Sequence, residues 1–313
     1  MQQLPVVDVR AFTDGSPSDR AEFVRRFGDA LCDLGFVTLD GHGVSPALVQ
    51  SAFDETARLF DLPDGEKRRW VVPESGGNRG YIPFGKERAL GASVSDLKEF
   101  WHVGQEGVDD AGRGVYHPNV WPDVSQVAGF REAALGLYAA LEGAALSMLE
   151  AVALYLELPV DWFSSMARGG NSVLRLIHYP PVPDDAPAGA VRAAAHEDIN
   201  LITLLVESTT GGLELLTRDG VWLPVHALDG QIVLDAGDML QRCTNGRIPS
   251  TTHRVVNPRG SNTRRYSMPF FTHPRPECVL APAPGTVTAE RPALAAPVTA
   301  HEFLTERLRA ITT

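Results

Sequence analysis

The chain has 313 residues, 44% of them hydrophobic, and its 39 acidic against 28 basic side chains give a formal net charge of −11. This composition suits a folded globular protein with one large core and argues against general nucleic-acid binding, which needs a basic surface. Three widely spaced cysteines, Cys32, Cys243 and Cys278, argue against a disulfide framework; no apolar run approaches the roughly 20 residues of a membrane span, no signal pattern opens the chain, and cytoplasm is expected.

Residues 4–8 read as a short strand, and 18–33 as an amphipathic helix with Phe23, Phe27, Ala30 and Leu31 at helical spacing. Gly35 closes that helix and 36–39 return as a strand. A second helical period covers 46–60, with Leu48, Ala52, Phe53, Ala57 and Phe60 turned inward. Residues 124–158 are rich in Ala and Leu and predict a long buttress helix that stops before Pro159. Strand-like segments then dominate, at 173–179, 196–206, 212–216, 221–225, 232–234, 252–256 and 266–272. Short strands between Gly, Asp and Pro turns predict a mainly β fold with flanking helices around a double-stranded β-helix, a jelly-roll or cupin-like core. The proline-rich stretch 180–187 predicts an exposed loop, and past Pro274 the chain is Pro- and Ala-rich until a last helix from about His301. The expected organisation is an N-terminal region 1–120, a buttress helix 121–165, a jelly-roll core 166–285 and a tail with helix 286–313, forming one structural unit.

Within this pattern lies A-H-E-D-I-N-L-I-T-L-L (195–205). On a helix His196 and Asp198 would diverge by about 200°, whereas on a strand they share one face, about 6.6 Å apart. Downstream, 245–256 offer His253 in a segment ending in β-formers. Together His196, Asp198 and His253 suit a 2-His-1-carboxylate facial triad, which leaves adjacent positions open on a non-haem Fe(II). Arg265 and Ser267 form another i, i+2 pair, in which a guanidinium fork beside a hydroxyl suits a carboxylate. Glu197 should point away from a metal held by its neighbours. His102 and His117 have no ligand-spaced partner and read as structural or exposed, and His178 is out of phase with Tyr179.

These residues carry a resemblance. H-x-D, His and R-x-S occur with Gly237-Asp238 through Gln241, Asn245-Gly246-Arg247, Ser250, His253-Arg254-Val255, and Leu174-Arg175 followed by Tyr179-Pro180-Pro181. The chain resembles the Fe(II)/2-oxoglutarate-dependent dioxygenase superfamily, in the branch similar to isopenicillin N synthase, over nearly its whole length. The resemblance implies Fe(II) on His196, Asp198 and His253. It implies 2-oxoglutarate anchored by Arg265, Ser267 and Tyr179, and O2 as oxidant, with hydroxylation, desaturation or cyclisation of a small molecule and release of succinate and CO2. It also makes Arg79, Tyr81 and Phe100 substrate-contact candidates, to which Arg175 and Phe271 are added; separately, the basic residues Arg79, Lys86, Arg88, Lys98 and Arg175 near the expected pocket segments suit a carboxylate-bearing substrate. Ile177 and His178 stand where relatives carry Asn and Tyr, so the chelating end of 2-oxoglutarate is held differently. Two alternatives stay open: an oxidase resembling isopenicillin N synthase that uses no 2-oxo acid, and a non-catalytic jelly-roll binding protein. No membrane or nucleic-acid partner is expected, and nothing in the sequence fixes an oligomeric state.

Overall fold

The computed structural model describes residues 4–89, 94–108, 115–206, 209–226 and 228–312. Strand β1 (Val6–Asp8) and the single turn α1 (Arg10–Thr13) lead into α2 (Pro17–Leu34). This helix begins ahead of the predicted start because Ser16 caps it: the Ser16 hydroxyl accepts from Asp19 N, the Asp19 carboxylate accepts from Ser16 N, and Pro17 opens the first turn. Gly35, at φ 68°, ends it in a left-handed conformation that glycine adopts without a Cβ clash, and β2 (Phe36–Asp40) follows. Then come α3 (Pro46–Phe60), the short α4 (Asp64–Lys67), β3 (Gly80–Ile82) and β4 (Glu99–Gly104). The sequence reading assigns no strand to β3 or β4, since β4 is buried on both faces and its apolar and polar residues do not alternate.

The buttress helix α5 (Phe130–Tyr155) is shorter than predicted, residues 124–129 forming turns ahead of it. Its mean hydropathy of 1.5 makes it long and apolar enough to cross a membrane, contrary to the expectation that no segment is. Arg131, Glu132, Glu142 and Glu150 interrupt the apolar run in sequence, yet Leu137, Leu141, Ala145, Met148, Leu149 and Val152 are all fully buried against the sheet and neighbouring helices. Such burial is that of a core helix. The short α6 (Ser164–Ala167) precedes the main run of strands: β5 (Val173–Tyr179), β6 (Ala193–His196), β7 (Ile202–Val206), β8 (Leu213–Leu216), β9 (Trp222–Pro224) and β10 (Ile232–Ala236). After α7 (Asp238–Cys243) come β11 (His253–Val255) and β12 (Arg265–Thr272), then the strand pair β13 (Val279–Leu280) and β14 (Val298–Thr299), and α8 (Ala300–Thr312).

Two sheets face each other. The larger has the order β1-β2-β10-β7-β12-β5-β4-β3, antiparallel except for β1 with β2, and the smaller is β6-β11-β8-β9. One face of the large sheet packs on α2, α3 and α5, and the other meets the small sheet through Phe36, Phe100, Ile177, Tyr179, Leu213, Leu215, Leu223, Val233 and Val255. Strand alternation sorts the side chains between these faces. On β12, Met268 and Phe270 join the helix-side core, while Arg265, Ser267 and Phe271 share the opposite parity.

The predicted strand 196–206 is two strands. β6 belongs to the small sheet and β7 to the large one, so the chain must turn between them at 197–201. Asn200 holds that corner, its amide donating to Ile202 O at 3.1 Å and Thr203 Oγ1 at 3.0 Å. The backbone of α7 docks onto it: Asp238 N donates to Asp198 O at 2.7 Å, and a Cβ on Gly237 would lie 2.3 Å from Asn200 O.

Candidate active site

The corner delivers the metal-type side chains. β6 and β11 pair so that His196 lies opposite His253, with ring centroids 4.4 Å apart. Asp198, one turn beyond β6, brings Oδ1 to 3.8 Å from both Nε2 atoms. His196 and Asp198 therefore converge through the turn that follows His196 and not through a shared strand face. One ligand atom from each of the three residues lies within 4.8 Å of the others.

The surroundings fix their chemical state. His196 Nδ1 lies 2.7 Å from Ala194 O and His253 Nδ1 lies 3.1 Å from Thr251 O; a carbonyl only accepts, so each Nδ1 carries the proton and each Nε2 keeps its lone pair. Burial, then the neighbouring His253, push the His196 pKa down to about 4, so it is a neutral base at ordinary pH. Asp198 Oδ2 accepts from the Thr203 hydroxyl, which leaves Oδ1 facing the two rings. Asp235, opposite Thr203 in the β10–β7 register, is a second buried carboxyl; burial and the Asp198 charge hold its pKa well above the usual range, and its side chain hydrogen-bonds with Asp198. Glu197 points elsewhere and accepts from the Thr252 hydroxyl.

A second constellation lies on the large sheet, on its face towards the small one. β12 and β5 pair Arg265 with Tyr179 and Ser267 with Ile177. Arg265 is 1% exposed; its Nε donates to Thr210 O at 3.0 Å, its guanidinium carbon lies 4.9 Å from the Tyr179 ring centroid, and Nη1 has no partner. A buried guanidinium N–H without an acceptor fits an incoming carboxylate, and two imidazole nitrogens with one carboxylate oxygen fit non-haem Fe(II).

The remaining candidates divide by strand parity. Phe100, Arg175 and Phe271 come together: the Arg175 guanidinium lies 4.3 Å from the Phe100 ring centroid and 5.1 Å from that of Phe271. Arg175 Nη1 meets Glu87 at 3.2 Å and its Nε donates to His102 Nε2 at 2.6 Å, while His102 Nδ1 donates to Gly77 O at 2.7 Å, so His102 is a neutral structural residue. Lys98 completes the group, 2.6 Å from Glu87 and 2.9 Å from Asp96. Tyr81 does not join it. Tyr81 faces the helix side, where its hydroxyl donates to Glu99 at 2.5 Å, and Glu99 also meets Lys67 and His178. Arg79 does not join it either: it is fully buried under Gly104 and donates to His117 O, Asn78 O and Asn171 Oδ1. Hydrogen bonds within the fold occupy both, so the structure removes Arg79 and Tyr81 from the substrate-contact candidates. Sequence reasoning also passed over Thr203, Asp235 and Arg192. For the last two there was a signal, a lone charged residue inside an apolar run, I-V-L-D-A and A-V-R-A-A-A.

Comparison with known proteins agrees with this geometry. The profile of the 2OG-Fe(II) oxygenase superfamily matches residues 170–274, and that of the non-haem dioxygenase in morphine synthesis N-terminal region matches 4–124. A 2-oxoglutarate-Fe(II) type oxidoreductase of Aspergillus fumigatus is 33% identical over 98% of this chain and 93% of its own length. A 2OG-Fe(II) oxygenase family protein from Caulobacter crescentus superposes with a TM-score of 0.87 at 41% identity, covering 99% of this chain and 100% of that one. A Neurospora crassa protein, solved with alpha-KG and thymine, is 28% identical with a TM-score of 0.87 over 98% of this chain and 96% of its own. The chain belongs to the 2OG-Fe(II) oxygenase superfamily. It is an Fe(II)- and 2-oxoglutarate-dependent dioxygenase, an oxidoreductase with O2 as co-substrate.

Proposed function

We propose that His196, Asp198 and His253 hold Fe(II), that Arg265, Ser267 and Tyr179 hold the distal carboxylate of 2-oxoglutarate, and that the substrate is a small polar molecule resting against Phe100, Arg175 and Phe271. The observation that carries this reading is the metal-type cluster and the unpartnered Arg265 Nη1 within one inter-sheet interior. Bound together, Fe(II) and 2-oxoglutarate supply the oxidising power, O2 cleaving the oxo acid to succinate and CO2 with transfer of oxygen to the substrate.

The protein's own residues set the geometry. The two Nδ1–carbonyl bonds hold both imidazoles with Nε2 inward, and Thr203 and Asp235 fix the Asp198 carboxylate. Arg265 sets the reach of the oxo acid by gripping the end remote from the metal. Ile177 and Val233 are buried in the apolar cluster between the two sheets.

The pocket charges favour an uncharged substrate over the carboxylate expected from sequence. Arg175 and Lys98 are matched by Glu87 and Asp96, and His102 is neutral, so this group of described residues leaves no positive charge over for a substrate anion. The relative solved with thymine supports a small uncharged ring as one such molecule. Free thiols at Cys32, Cys243 and Cys278 support a reducing compartment such as the cytoplasm.

Anaerobic titration of the purified protein with Fe(II) and then 2-oxoglutarate tests the assignment. A weak visible charge-transfer band in the wild type that is lost or weakened in Arg265→Ala is expected. Bound iron without a band would favour the oxidase resembling isopenicillin N synthase, and no bound iron would sink the metal assignment.

A further inference from the structure

Arg265 is not the only buried arginine beside Tyr179. Arg192, four residues before His196 and immediately ahead of β6, is 2% exposed, and its guanidinium carbon lies 6.0 Å from the Tyr179 ring centroid. Its Nη2 donates to Thr263 O, while its buried Nε has no hydrogen-bond partner. No carboxylate among the described residues lies within ion-pair distance of either Arg192 or Arg265. Lys67 is paired with Glu99, and Lys98 with Glu87 and Asp96; buried Arg79 has no carboxylate either, but its guanidinium donates to the His117, Asn78 and Asn171 oxygens and is left with no orphaned nitrogen. Two buried guanidiniums gathered at one phenol, each with an unmade N–H bond and no counter-charge, are costly unless an anion completes them. Arg192 also feels Arg265, which after burial is the next cause lowering its pKa.

We infer that Arg192 is a second cation of the co-substrate pocket, so that the distal carboxylate of 2-oxoglutarate is bound between Arg192 and Arg265 beside Tyr179. The inference rests on the assignment of Arg265 to that carboxylate. Arg192 acts as a positioning and selectivity residue: it strengthens the grip on a five-carbon diacid and does nothing for a 2-oxo acid that lacks the second carboxylate.

Calorimetric binding to the full chain loaded with Mn(II), a redox-inert occupant of the same donor set, tests this without turnover. In Arg192→Met the dissociation constant for 2-oxoglutarate should rise about 10- to 100-fold, the range of a charged hydrogen bond. Binding of 2-oxobutyrate should stay unchanged, and Arg192→Lys should recover part of the loss. Removing an uncompensated buried charge should also leave the melting temperature of the ligand-free protein unchanged or raised, which shows that the variant folds. Unchanged 2-oxoglutarate affinity in Arg192→Met, or an equal loss for both oxo acids, would overturn the inference. Arg265→Met serves as the separate control: if it leaves 2-oxoglutarate binding intact, the assignment of Arg265 itself fails.

Discussion

Asp198 offers the metal one oxygen because Thr203 occupies the other, and Thr203 is in turn oriented by the Asn200 amide. Thr203→Val keeps the shape and removes the donor. Metal affinity should fall about 10- to 100-fold with little loss of stability; titration of the metal-free protein checks this, and an unchanged affinity would mean that the corner backbone alone orients Asp198. The metal-type residues were legible in the sequence, and Arg265 with Ser267 could be proposed from it, because H-x-D and the later His and R-x-S are compact spacings of distinctive chemistry. The meeting of Thr203 and Asp235 at Asp198 was not, since it depends on the β7–β10 register, which no local pattern encodes, although Asp235 stands out as a lone charge in an apolar run. The sequence offers Arg175 as a candidate substrate contact, but its neutralisation by Glu87 was not legible, because the two come from segments far apart in the chain.

At the level of elements, strand parity separates residues that carry the site from residues that carry the fold. Glu99 takes donors from Lys67, Tyr81 and His178 on the helix side of β4, whereas Phe100 and His102 face the pocket. Tyr81→Phe should therefore cost stability, about 1–3 kcal/mol for a buried carboxylate short of one donor, and leave the KM for substrate unchanged. Denaturant unfolding beside steady-state kinetics separates the two effects; a raised KM would return Tyr81 to the substrate wall. In α5, Leu141→Ala should cost about 2–5 kcal/mol, seen as a lower melting temperature with unaltered ligand binding, since Leu141 is fully buried against the helix-side core. Most elements were readable from period and turn residues. The exceptions have local causes. The 196–206 run hides a corner because Asn200 is flanked directly by the apolar Ile199 and Leu201, and β3 and β4 lack alternation because both their faces are covered.

Across the whole molecule, two neutral histidines, His102 buried and His273 half-buried, couple folding to acidity. Burial, then the Arg175 charge, hold His102 well below its ordinary pKa, and burial holds His273 at about 4. In the unfolded chain both take up protons near pH 6.5, so their contribution to stability is complete above that pH and is lost as pH falls from about 6.5 towards 4. The loss is about 1.4 kcal/mol per pH unit for each histidine. Urea midpoints of the metal-free protein should decline from about pH 6.5, before the paired carboxylates titrate; a flat profile down to pH 5 would sink this account. Glu87, held below the usual carboxylate range by Arg175 and Lys98 in spite of its burial, adds a further loss only at lower pH.

The two walls of the site come from different stretches of chain. Glu87, Asp96, Lys98 and Phe100 all precede α5, whereas His196, Asp198, His253, Arg192 and Arg265 all follow it. On the proposed assignments, Arg175 and Phe271 share strands with Tyr179 and Arg265, but Phe100 and the charges that neutralise Arg175 come from a stretch that supplies none of the oxidising machinery. Selectivity and reactivity can then in part be inherited apart. A lineage could trade the segment around β3 and β4 for another and acquire a new diet while its combustion machinery passed down untouched.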